Sequence, residues 1–179
     1  MKELVQAALT AGAAKAALIG AEQVVYSESF RKICEGNQCG CWGKCWACPP
    51  EIGEVGELVA QAKKYPRGLL YQTIGMLEDS FDVEGMFAAG ANHAQVSLRL
   101  QKRLPGLLKA PFLHLSCGGC HLCPVCAKRT GEPCRNPEYA LPAMEGYGID
   151  VYNTTCTTAL KYINGTNTVT YFGLILFSE

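Results

Sequence analysis

Ten of the chain's 11 cysteines fall within two short stretches, residues 34–48 and 117–134, and Cys156 stands alone. The second stretch reads Cys117-Gly-Gly-Cys120-His-Leu-Cys123-Pro-Val-Cys126, a repeated gap of two residues, with Cys134 following in Glu-Pro-Cys-Arg. Thiolates at that spacing can wrap three corners of a cubane iron–sulfur cluster, a more distant cysteine supplying the fourth. Two registers are open: Cys117, Cys120 and Cys123, or Cys120, Cys123 and Cys126. The latter is preferred, because Cys134 then follows a short turn containing Gly131 and Pro133. A zinc ribbon wants two CxxC knuckles about 15–20 residues apart. The pairs Cys45/Cys48 and Cys120/Cys123 lie far outside that range, so zinc is the alternative metal rather than the first.

The first stretch places Cys34, Cys39, Cys41, Cys45 and Cys48 in 15 residues, interleaved with Gly36, Gly40 and Gly43 and closed by Pro49-Pro50. Glycines let backbone N–H groups turn towards sulfurs, which tunes a cluster's potential. Cys34, Cys39 and Cys48 are the expected ligands of a second centre. Its fourth ligand is open among Cys156, Cys41, Cys45 and Cys117, and some of these thiols are small buried residues and nothing more. Trp42 and Trp46 are expected to shield the site from water. Cys45-Trp-Ala-Cys48 is also a possible dithiol pair, but Pro49-Pro50 breaks the usual strand–CxxC–helix context.

The pattern Cys34…Cys39-Gly-x-x-Gly-Lys-x-Trp-x-Cys48-Pro-Pro, then Cys120-x-x-Cys123-x-x-Cys126…Pro-Cys134-Arg-x-Pro and Met144-Glu-x-Tyr-Gly-Ile-Asp-Val, resembles the cysteine-rich family called domain of unknown function 2284. The resemblance runs from about residue 30 to about residue 155. It implies a small iron–sulfur or other metal protein of bacteria and archaea, common in anaerobes, with no settled reaction. Cys41, Cys45 and Cys117 are thiols beyond the family pattern.

Other residues carry less. His121 is expected to be an exposed loop histidine, His114 a satisfied core residue, and His93 has no partner signal. Lys128, Arg129 and Arg135 crowd the second cysteine loop, where cations would raise a negative cluster's potential or attract an acidic partner. Glu145 has no paired acid or base in sequence. No phosphate loop, GxSxG, HExxH or kinase signature is present. Sixteen basic against 16 acidic residues argue against a nucleic-acid binder. The apolar run 169–177 is too short to cross a bilayer as a helix, and the N-terminus reads better as a short amphipathic helix stopped near Gly12 than as a signal peptide. The thiols are therefore expected in a reducing compartment, the cytoplasm, where they bind metal rather than pair.

These loops need a scaffold. Periodicity predicts helices over 2–11, 54–64 and 84–104, the last with Phe87, Ala91, Ala94 and Leu98 on one face. It predicts strands over 16–26, 69–77, 111–116 and 168–177, and short helices at 140–146 and 156–162. Residues 28–53 and 117–137 read as loops. Alternating helices and strands predict one α/β domain over residues 1–179, a layer of mostly parallel sheet flanked by helices, with the two cysteine-rich loops at the same sheet edge. The functional expectation is two 4Fe-4S clusters carrying electrons to a partner oxidoreductase or reductive activation step. Two alternatives stand beside it. One is a metalloenzyme using an open-site cluster or exposed thiol, favoured by thiols in excess of what two cubanes need. The other is a zinc-stabilised interaction module, disfavoured because a chain this long buries enough core without metal.

Overall fold

A computed structural model describes residues 1–178 of the chain. In chain order the elements are α1 (Lys2–Ala11), β1 (Lys15–Gly20), α2 (Ser29–Glu35), α3 (Val55–Ala62), β2 (Arg67–Met76), α4 (Val83–Leu107), β3 (Phe112–Leu115), α5 (Val151–Cys156) and β4 (Thr168–Phe177). Among the described residues the strands form one four-stranded sheet in the order β1-β2-β4-β3. Every neighbouring pair is antiparallel: β1 with β2, β2 with β4, β3 with β4.

The expected mostly parallel sheet is therefore wrong. β2 and β3 do run the same way, joined by the long α4 as a parallel crossover would be. The last strand, β4, runs opposite to both and lies between them, which is the split βαβ arrangement. Alternation of helices and strands reports the crossover but not what is later inserted into it.

Side chains alternate across the sheet as strand geometry requires. Leu70, Phe172, Leu174 and Leu176 face one core with Leu58, Met144 and Ile149. Leu69, Tyr71, Ile175 and Phe177 face the other, against α1 and α4. α4 buries His93, Val96, Ser97, Leu100 and Leu104, a helical stripe, and runs two residues past Pro105 before ending at Leu107. The expected face of this helix is not the buried one: Phe87 is 75% exposed. Hydrophobicity pointed the wrong way because the true stripe contains two polar residues that find partners. Thr73 Oγ1 lies 2.9 Å from His93 Nδ1. Tyr71 Oη lies 2.7 Å from Ser97 Oγ and 2.8 Å from His114 Nε2, and His114 Nδ1 lies 2.9 Å from Gln101 Oε1. His114 is thus the satisfied core residue expected.

Burial depresses both imidazoles, His93 to about 4 and His114 to about 3, with His93 adding a smaller repulsion on His114. An unfolded chain holds its histidines near 6.5. Between those limits the unfolded state binds more protons than the folded one, so stability rises with pH and is lost as pH falls from about 6.5. Unfolding free energy should drop by up to roughly 1.4 kcal/mol per pH unit per histidine between pH 6.5 and 4.5. Urea titrations across that window, with NMR of the two imidazoles, check it. A flat profile with both rings titrating above pH 6 contradicts the buried neutral pair.

Candidate metal centre

After β1 the chain crosses the sheet face rather than staying at the strand's end. Tyr26 bridges to Ile149, Val25 N–H donates to Thr154 Oγ1, and Ser27 N–H donates to the Gly148 carbonyl. That crossing, not parallel strands, carries the first cysteine loop to the second. Part of the first loop is helix: α2 carries Cys34 in its last turn, inside a stretch expected to be loop. The second loop likewise contains a 3-10 turn, Ala127–Thr130, starting directly after Cys126.

The loops meet at a glycine. A Cβ on Gly119 would stand 2.6 Å from Cys41 Sγ and 3.9 Å from Cys48 Sγ, so only glycine admits this approach. Cys45, Ala47 and Cys48 form a small buried cluster, with Cys41, Cys120 and Cys126 packed against it. One cavity is lined by Cys120, Cys123, Cys126 and Cys134 from the second loop and by Cys45 and Trp46 from the first. The preferred register of the second loop is the one that lines this cavity. Cys117 lies outside it.

Hydrogen bonds hold this arrangement. Asn136 Nδ2 donates to Cys123 Sγ at 3.5 Å. Trp46 Nε1 donates to the Glu132 carbonyl at 2.9 Å, and Lys128 Nζ sits 4.5 Å from the centre of the Trp46 ring while pairing with Glu51 at 2.8 Å. Trp46 therefore walls the cavity, as expected, and Lys128 is fixed on that wall. Arg135 donates to the Val125 carbonyl. Cys45 is held low, to about 5, first by a hydrogen bond from the Cys48 thiol and then, against its burial, by the N–H groups of Ala47 and Cys120. Cys48 is pushed high by the same shared hydrogen bond and by burial. The two sulfurs act on each other, and backbone donors reach Cys45 as well.

Cys34, Cys39, Cys41 and Cys48 form a second neighbourhood. Cys39 raises the thiols of Cys34, Cys41 and Cys48 by charge proximity, in each case behind burial or a closer hydrogen bond. Cys117 is pushed up to about 12, by burial first and then by the Glu145 carboxyl, which also acts on Cys34. Glu145, set aside on sequence grounds, thus stands between two candidate thiols. Cys156 is exposed at the end of α5, outside both thiol neighbourhoods described here. His121 is exposed, as expected.

Among the described residues no three His, Cys, Asp or Glu side chains converge tightly enough to hold a single ion. The thiols surround a cavity instead, and a set of thiol donors from two loops is the chemistry that metal–sulfur sites use. A sequence profile of predicted metal-binding proteins, domain of unknown function 2284, matches residues 17–177. The chain belongs to that family. No curated protein and no solved structure matches it. In this family member, no helix among the described residues is long and apolar enough to cross a membrane.

Asn136 and Glu145 are the site residues that sequence reasoning missed or set aside, and Cys45 was weighed only for the other centre and as a dithiol partner of Cys48. Cys45 carried a signal, the CxxC with Cys48 beside Trp46. Asn136 and Glu145 carried none, since each matters only through a contact made by folding.

Proposed function

We propose that this metal-binding protein is an iron–sulfur protein that holds two 4Fe-4S clusters and carries electrons to a partner oxidoreductase or a reductive activation system, in the reducing cytoplasm. The observation that carries the reading is the single cavity lined by Cys120, Cys123, Cys126 and Cys134, with first-loop thiols packed directly against it. Thiols spread around a cavity suit a body with several corners better than one ion. When bound, such clusters supply one-electron redox chemistry. The chain's own residues would supply the rest. Cys34, Cys39, Cys41 and Cys48 are the ligand candidates of the second centre. Asn136 orients Cys123, and such outer contacts tune a metal site. Trp46 limits water access, and Arg135 sets positive charge on the cavity lining, where an acidic partner would dock.

Iron, zinc and acid-labile sulfide per chain, measured after strictly anaerobic purification, test this directly. About eight irons with matching sulfide, and spin–spin coupling between centres on reduction, are expected. Zinc without sulfide overturns the reading in favour of a zinc-stabilised module. One observation favours a metalloenzyme instead: Cys117 lines two further cavities outside the thiol-rich one.

A further inference from the structure

One of those two cavities has a lining that no electron carrier requires. It measures about 270 Å³ and lies between the Met144–Tyr147 turn and β4, with Cys117 and Glu145 at one side and Tyr162, Thr170, Tyr171 and Phe172 at the other. We propose that this cavity binds a small organic cation, a primary amine on a flat apolar body, with Glu145 as its counter-charge.

Two independent features point to a cation. The first is the carboxyl. Among the described residues no lysine, arginine or histidine pairs with Glu145; the ion pair of the region is Lys128 with Glu51. Lys15 Nζ donates to Asn164 Oδ1, and Asn164 Nδ2 to Thr170 Oγ1, rather than to this carboxyl. The Arg31 guanidinium donates to the carbonyls of Gly53 and Gly146.

The second feature is the wall. Tyr162 stacks on Phe172 with centroids 5.7 Å apart and planes 12° apart, and Tyr152 meets Tyr162 edge-on at 5.3 Å. Tyr171 is fixed by its hydroxyl, which donates to the Met86 carbonyl at 2.8 Å. Aromatic faces attract cations through their quadrupole and pack flat apolar bodies. They do not ligate metal ions, which sets an organic cation apart from an inorganic one. The volume is that of a one-ring molecule, smaller than a drug-sized pocket. Met144 and Val151, both buried, close the floor with apolar surface.

This inference does not rest on the iron–sulfur reading: metal content is read by elemental analysis and cation binding by calorimetry, so either can fail alone. The probes are benzylamine, benzyl alcohol and benzoate, titrated into the whole protein as isolated anaerobically. Benzylamine should bind saturably, with the alcohol and benzoate at least about tenfold weaker. Glu145→Gln, which keeps the side chain's shape, should cost benzylamine about tenfold or more and leave benzyl alcohol unchanged. Tyr162→Ala alters a residue 43% exposed and therefore safe for folding; it should weaken benzylamine severalfold. Equal affinity for the three probes in the unmodified protein overturns the proposal without any variant. So does a Glu145→Gln protein of native circular dichroism that binds benzylamine as before.

Discussion

Serine in place of Cys120, Cys123, Cys126 or Cys134 should strip the protein of about one cluster's worth of iron and sulfide while leaving the other centre loaded. On the proposed reading these are the four corners of the second-loop centre, and cubane corners need thiolate ligands. The cavity presents five thiols, not four, because Cys45 lines it as well. One sulfur must then stay off the metal, and Cys45 is the one that the backbone N–H groups of Ala47 and Cys120 already reach. Cys45→Ser should therefore keep its iron number, since a serine oxygen can accept the same hydrogen bonds. Cys156→Ser should also keep it, that residue being exposed at the end of α5. Metal and sulfide counts on the six variants, purified without oxygen, decide the matter. Full iron in the four second-loop variants removes the cluster from this cavity. Iron loss in Cys45→Ser equal to that in Cys123→Ser makes Cys45 a corner and frees one of the second-loop thiols.

Some of this was legible before any coordinates. β4 follows the predicted bounds 168–177 residue for residue, because a run such as Tyr171-Phe-Gly-Leu-Ile-Leu-Phe177, buried over its last six residues, has few alternatives to a central strand. The first helix matches its predicted bounds too, stopped by Gly12 at φ 109°, a left-handed cap that glycine adopts without cost. Strand direction was not legible. Whether β2 and β3 pair with each other or with an intruder depends on a strand more than fifty residues later in the chain (Thr168 follows Leu115), and local periodicity holds nothing about that. The meeting of the cysteine loops was expected for a reason that failed, a shared edge of a parallel sheet. It occurs because residues 24–35 cross the sheet face, pinned by backbone bonds to 148–150. The spacing of Cys120, Cys123, Cys126 and Cys134 was enough to group them, since four thiols that near in sequence cannot be far apart in space. The thiol that joins Cys34, Cys39 and Cys48 stayed open among Cys156, Cys41, Cys45 and Cys117 in the sequence; the fold leaves Cys156 exposed and away from them.

The largest single-residue loss of stability should come from Gly173→Ala, far from any thiol. Gly173 lies on β4 directly opposite Tyr71 on β2. A Cβ there would overlap the Tyr71 ring at Cζ, Cε1 and Oη. The backbone at this glycine is ordinary, so the constraint is space rather than conformation. Nor can the ring step aside. It stacks on His93 at 5.6 Å and 14°, meets His114 edge-on at 5.8 Å, and is fully buried with its hydroxyl bonded to Ser97 and His114. Making room costs overpacking strain of about 1–3 kcal/mol. Breaking the hydroxyl's contacts leaves buried polar partners unsatisfied at about 1–3 kcal/mol more. The sum of roughly 2–6 kcal/mol is a large share of the 5–15 kcal/mol typical of a folded domain. Urea denaturation of Gly173→Ala should show it as a lowered midpoint with an unchanged slope. A cycle with Tyr71→Leu isolates the cause. Tyr71→Leu alone destabilises by removing the ring and taking one hydrogen-bond partner from Ser97 and from His114 Nε2, but it opens the space a methyl at 173 needs. The double variant should then be more stable than the two single losses predict, by about 2 kcal/mol. Strict additivity, or a Gly173→Ala protein within about 0.5 kcal/mol of the parent, would show that the sheet yields at this point and that the Tyr71 ring is not what reserves position 173 for glycine.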